Sequence, residues 1–291
     1  MDTNLETGFD ANREIKDTLF SLLFSDKEVL IPLSNAIFGT NYGLDTEVII
    51  STIRKRLSKC VLNDLSFILD QRLIILIEHQ STIDENMPYR MLQYIVETYK
   101  RMHNEEDDYH RSRFLLQRPK FIVLYNGIEK MKEDVRVMRL SDMFPQYKPE
   151  EKAVDDGLVD LELTVKMYNI NRGRNENIVK SCAILHEYSI FIDMIREYQK
   201  ANMSLGDAIQ RSVVDCIDQN VLKKFLLQHK GEVINMITSE WNMDLALKVR
   251  GEEKAMERAE KIAKGMLAEG MDVNTISRIT ELSVDEILRL K

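Results

Sequence analysis

The run Leu73-Ile74-Ile75-Leu76-Ile77 ends without transition in Glu78-His79-Gln80. An unbroken apolar run of this length, three of its five residues β-branched, predicts a strand buried on both faces. A second strand-like run, Leu62 to Leu69, precedes it, and Asp70-Gln71-Arg72 between them reads as a short turn. Pairing the strands about Gln71 sets Leu69 opposite Leu73 and, continuing outward, Asp64 opposite Glu78. Alternation along the strand puts Gln80 on the face of Glu78 and His79 on the other. Directly opposed residues of an antiparallel pair hold their Cβ atoms about 5 Å apart. Two carboxylates at that distance repel unless a cation lies between them, and magnesium takes hard oxygen ligands of this kind. The competing reading is a solvated hairpin end with incidental charges.

Other elements can be read around this hairpin. Ile15, Leu19, Leu22, Leu23, Val29, Leu30, Leu33 and Ile37 fall at helical spacing, with Ser25-Asp26 as an interruption that can cap a second helix. Gly39 to Gly43 reads as a turn and Glu47 to Ile53 as a strand. Asn86-Met87-Pro88 opens a helix running to about Tyr99, its proline where the first turn tolerates one. Pro119 to Tyr125 predicts a further strand closed by Asn126-Gly127, residues 141–157 a loop, and Val159 to Tyr168 one more strand. From Ser181 onward the pattern is helical. Val213, Ile217, Val221 and Phe225 fall four apart, and residues 252–269 are rich in Glu, Lys and Ala. Two short amphipathic helices end the chain around Glu281-Leu282, with Ser283 and Glu286 in a capping-box pattern.

Three scattered cysteines, Cys60, Cys182 and Cys216, form no CxxC pair. That argues against a zinc ribbon or disulfide framework and suits a reducing cytoplasm. The apolar runs are far shorter than the roughly 20 residues a membrane helix needs. The polar, acidic residues 1–13 read as a disordered lead-in rather than a signal peptide. A net charge of -8 argues against high-affinity nonspecific DNA binding. It argues less against a nuclease, because local basic clusters and a bound metal can grip phosphates.

Several segments resemble the signature of the Rpn family of recombination-promoting nucleases, which also carries a transposase label. They are Asn63-Asp64-Leu65-Ser66-Phe67, Leu76-Ile77-Glu78-His79-Gln80-Ser81 and Asn86-Met87-Pro88-Tyr89-Arg90. Lys16-Asp17-Thr18-Leu19-Phe20 resembles the family's opening, with Lys16 where a His is usual. Pro119 to Gly127, Asn169-Ile170-Asn171 and the stretch from Cys216-Ile217 to Phe225-Leu226 resemble its later segments. The match spans about residues 14 to 240.

The family is placed in the PD-(D/E)XK nuclease superfamily. The resemblance therefore implies an α/β fold: a mixed central sheet flanked by helices, restriction-endonuclease-like, followed by a helical C-terminal region. The expected division is a nuclease-like core at 14–180, a helical region packed on it at 181–250, and an amphipathic helix with a small helical unit at 251–291. Position by position, Asp64 and Glu78 become metal ligands, and Gln80 joins them in the catalytic core at the place where many relatives have Lys. Asp17 either completes the ligand set or is a helix-start aspartate favoured by the dipole. Arg90 and Tyr94, four apart on one helix face, become substrate-binding residues, Arg90 able to clamp a phosphate. His79 is expected to be structural.

The implied activity is Mg2+-dependent hydrolysis of DNA phosphodiesters, with Mn2+ able to substitute and recombination or transposition as its context. The alternative is a catalytically weak or inactive homologue acting as a DNA- or protein-binding module. Gln80 and the acidic balance favour the alternative; the intact Asp64 and Glu78 favour the enzyme. The final helix pair reads better as a packing or dimerisation unit than as a helix-turn-helix, since its second helix carries only Arg289. A homodimer through these helices is the assembly such a unit allows.

Overall fold

The structure, a computed structural model, describes residues 19–52, 64–102, 111, 113–145 and 160–290, with the backbone alone for 239–255 and 257. Asp17, Cys60 and residues 1–13 lie outside the described residues, as do 146–159.

The chain divides into two compact units, 1–237 and 238–291. The first is built on a six-stranded sheet. Its strands are β1 (Val48–Ile50), β2 (Leu65–Leu69), β3 (Leu73–Gln80), β4 (Arg118–Tyr125), β5 (Val135–Arg139) and β6 (Thr164–Asn169). Their order is β1-β2-β3-β4-β6-β5. The pairs β1–β2, β2–β3 and β5–β6 are antiparallel, while β3–β4 and β4–β6 are parallel. The sheet is thus mixed, with helices packed on it. β3 starts and ends where the apolar run and its polar tail predict. Ile74 to Ile77 are all buried, as a strand covered on both faces requires.

The turn that sets the register uses an unusual residue. Asp70 and Gln71 both have positive φ, 53° and 52°, and Arg72 N donates to Leu69 O at 3.1 Å. Consecutive positive φ values match the twist of the flanking strands. Leu69 pairs with Leu73 and Leu65 with Ile77, the register read from the turn centre.

One face of the sheet carries Ile68, Ile74, Leu76, Phe121, Val123, Tyr125, Val165 and Met167. Helix α3 (Met87–Met102) lies on it through Met87, Met91, Tyr94 and Ile95. Before the sheet come α1 (Leu19–Leu23) and α2 (Lys27–Phe38), separated at Asp26 as expected. Gly39 ends α2 at φ 65°, the left-handed position where a Cβ is costly. After the sheet come α4 (Glu176–Ser181), α5 (Ala183–Lys200), α6 (Leu205–Asp218) and α7 (Lys223–Ala268).

Two expectations need correction. β5 was not foreseen: its alternating valines, Val135 and Val137, point to the exposed side of a sheet edge, and Met138 is the buried member. The row Val213, Ile217, Val221 and Phe225 does not belong to one helix. α6 stops at Asp218, and Asn220 and Leu222 turn through positive φ before α7.

The second unit, described by itself, ends in α8 (Val273–Thr280) and α9 (Val284–Leu288). Ala263, Ile276, Leu282 and Ile287 form its core. Ser283 and Glu286 make the expected capping box at α9.

Candidate active site

Asp64 stands one residue before β2, and the hairpin register carries it to Glu78 at the open end of the ladder. Two hydrogen bonds fix the pair. Asp64 N donates to Glu78 Oε1 at 3.2 Å, and His79 N donates to Asp64 Oδ2 at 2.8 Å. Each carboxylate is therefore tied to the other strand's backbone. Glu78 is only 3% exposed. Burial first, and the neighbouring Asp64 charge second, hold its carboxyl well above the usual carboxylate range, against the pull of Arg90. Such a site favours a cation strongly.

That cation is Arg90. It lies in the first turn of α3, which starts seven residues after β3 ends and crosses back over the sheet. Its Nη2 donates to Glu78 Oε2 at 3.1 Å and to Tyr94 Oη at 2.9 Å, and its Nη1 reaches Asp84 Oδ2 at 3.3 Å. Burial alone would lower the Arg90 pKa, but the Glu78 charge, Tyr94 and Asp84 outweigh it and push it up. Tyr94 is pushed up by burial and by Glu78. In the orientation that satisfies both of its ends, the Gln80 amide donates to Thr82 O at 3.3 Å and accepts from Arg90 Nη1 at 3.0 Å.

The fold thus brings together Asp64, Glu78, Gln80, Arg90 and Tyr94. Asp17 is the one sequence-predicted residue outside the description. Asp84, missed in the sequence, anchors the far side of the guanidinium. Its signal was local: it accepts from Asn86 N, at the entry to α3. A groove of about 660 Å³ between the start of α3 and β5 is lined by Glu85, Asn86, Arg136 and Met138 among others, and not by Asp64 or Glu78. Buried opposed charges lie instead at Glu78 and Arg90, the kind of cluster that functional sites often use.

His79 belongs to the other face. Its ring stacks on Phe20 with centroids 5.0 Å apart, and its Nε2 lies 2.9 Å from Tyr188 Oη. Burial, and then the Arg196 charge, lower its pKa to about 4. Arg196 holds the end of β4 through Asn126 O and Asn171 Oδ1. These long-range partners could not be read locally, although the structural role of His79 could.

Residues 69–197 match the family model described as "Putative transposase, YhgA-like", and residues 256–291 match the one described as "Rpn/YhgA-like nuclease family, C-terminal HTH domain". The chain belongs to the Rpn/YhgA-like nuclease family. Comparison with curated proteins and with solved structures returns no match. The first family match contains Glu78, Gln80, Arg90 and Tyr94 and begins after Asp64. The second covers 256–291 within the final unit, and its description names a helix-turn-helix domain. Sequence alone pointed away from that, because the second helix of the pair carries only Arg289 as a basic residue.

Two carboxylates side by side fit the hard-oxygen preference of Mg2+ or Mn2+. Among the described residues, no three His, Cys, Asp or Glu side chains gather with the geometry of a metal site. The donor set is a pair, and one of its oxygens already accepts from Arg90. Among the described residues no helix is long and apolar enough to cross a membrane.

Proposed function

We propose that this chain is a catalytically weak nuclease homologue that binds DNA and retains slow, metal-dependent phosphodiester hydrolysis at the Asp64–Glu78 pair. The observation that carries this reading is the Glu78–Arg90 contact. The acid that would hold a cation is engaged by a guanidinium, beside a neutral Gln80. The residues nevertheless keep the parts of a phosphodiesterase. Asp64 and Glu78 would hold Mg2+ or Mn2+, which when bound would lower the pKa of water and neutralise charge on the phosphate. Tyr94 and Asp84 orient Arg90, which can reach a phosphate oxygen. Gln80 can position a water by hydrogen bonding without supplying charge. The described helix-turn-helix unit provides a further surface for DNA, although its acidic second helix suits backbone reading poorly.

Incubation of supercoiled plasmid with the protein, with and without EDTA, tests the reading. Slow, EDTA-sensitive nicking that Asp64→Ala abolishes in a folded protein is expected. DNA binding without any nicking would make the chain a binding module and remove the catalytic half of the proposal. Rapid turnover would favour the fully active endonuclease.

A further inference from the structure

The resemblance leaves residue 80 without the lysine that many relatives have, and a cationic side chain from α3 lies beside it. A lysine side chain carries its ammonium one bond beyond the amide of a glutamine. Arg90 Nη1 lies 3.0 Å from the Gln80 amide oxygen in the orientation that satisfies both ends of that amide. The guanidinium also contacts Glu78 at 3.1 Å. Its side chain is 32% exposed where that of Glu78 is 4%, so it has the solvent side of the pair. We propose that Arg90, delivered from α3, supplies the catalytic positive charge that residue 80 lacks, and that Gln80 aims it. The inference rests on the weak-nuclease reading above.

The chemistry follows from the group. In hydrolysis one water is consumed. Its oxygen bonds to phosphorus, the bond from phosphorus to the leaving oxygen breaks, one proton ends on that oxygen and the other in solvent. A guanidinium stays charged throughout, so Arg90 cannot be the base. It can bind the non-bridging oxygens on which negative charge accumulates. To do so it must leave Glu78, and the freed carboxylate oxygen then becomes available to a divalent cation. Arg90 is thus placed to compete with the cation in the resting site and to cooperate with it during cleavage. A purely structural arginine, one that only holds Glu78 in position, would predict the opposite effect on metal binding.

The test compares full-length wild type, Arg90→Gln, Gln80→Lys, the double variant and Arg90→Lys. Plasmid nicking is measured alongside Mn2+ binding followed by electron paramagnetic resonance. Arg90→Gln should lose about a hundredfold in cleavage, the scale of removing one donor to a developing oxyanion, while binding Mn2+ as tightly or more tightly. Gln80→Lys in that background should restore cleavage to within about tenfold of wild type, the ammonium standing in for the donor lost. Arg90→Lys keeps the charge and should keep most of the rate, which serves as the readout if Arg90→Gln does not fold. A folded double variant no faster than Arg90→Gln, or weaker Mn2+ binding by Arg90→Gln, would overturn the inference while leaving the nuclease reading intact. Absence of Asp64-dependent nicking by the wild type would overturn both.

Discussion

Acidification should destabilise the sheet unit through His79, and the size of the effect can be worked from its surroundings. The ring is buried between Phe20 and Tyr188, with the Arg196 charge nearby. Its pKa falls from an ordinary 6.5 to about 4, burial being the larger cause. A histidine with a depressed folded pKa takes up its proton more readily when unfolded. Its neutral form therefore supports the fold fully above pH 6.5, and that support is lost as pH falls toward 4. At about 1.4 kcal/mol per pKa unit, the loss between pH 7 and pH 5 is about 2 kcal/mol, rising to about 3 kcal/mol near pH 4. His79→Gln cannot take up the proton, yet its amide can still reach the Tyr188 hydroxyl. Urea unfolding of both proteins, followed by circular dichroism at pH 7, 6 and 5, isolates the term. Residue 79 lies in the first unit, so contributions from the second cancel in the difference. Wild type should lose about 2 kcal/mol more than the variant over that range. Equal losses, within about 0.5 kcal/mol, the usual scatter of independent effects, would refute the argument from burial.

Gly127→Ala should destabilise the first unit by about 1–3 kcal/mol, as overpacking does, because a Cβ there falls on the Ser81 carbonyl oxygen and on the Tyr125 ring and hydroxyl; an unchanged urea midpoint would contradict this. Ile276→Ala removes a side chain that is fully buried in the second unit and should cost about 2–5 kcal/mol there, read as proteolytic sensitivity of residues 256–290 with the sheet unit still protected. Deleting residues 271–291 should leave nicking measurable and weaken DNA binding in a gel-shift assay, since Asp64, Glu78 and Arg90 all lie in the other unit; a stable truncation with no nicking would place part of the chemistry at the C-terminus.

The hairpin was legible because its information is local. A turn at Asp70-Gln71, an apolar run of known length and a period of two fix which acids meet, and no distant residue is needed. The ends of β3 and the start of α3 followed from the same stretch. What encloses the hairpin was not legible. β5 sits at an edge, where the usual polarity of alternation fails for Val135 and Val137. The break between α6 and α7 hides beneath a four-residue apolar spacing that continues through a turn. Arg90 was visible as a candidate phosphate clamp. Its grip on Glu78 was not, because it depends on how α3 folds back over the sheet.

The carboxylate pair is also early in another sense. Asp64 and Glu78 are separated by 14 residues, and one antiparallel turn brings them together. β3 and β4 are parallel neighbours, and β6 reaches β4 only after β5 has been passed in the chain. Short loops close quickly, whereas pairings between distant segments form late. During refolding the two acids therefore meet before α3 docks and brings Arg90. In that interval the Arg90 charge is not yet beside them, and dissolved divalent cations should speed the early phase of stopped-flow refolding more than the final one.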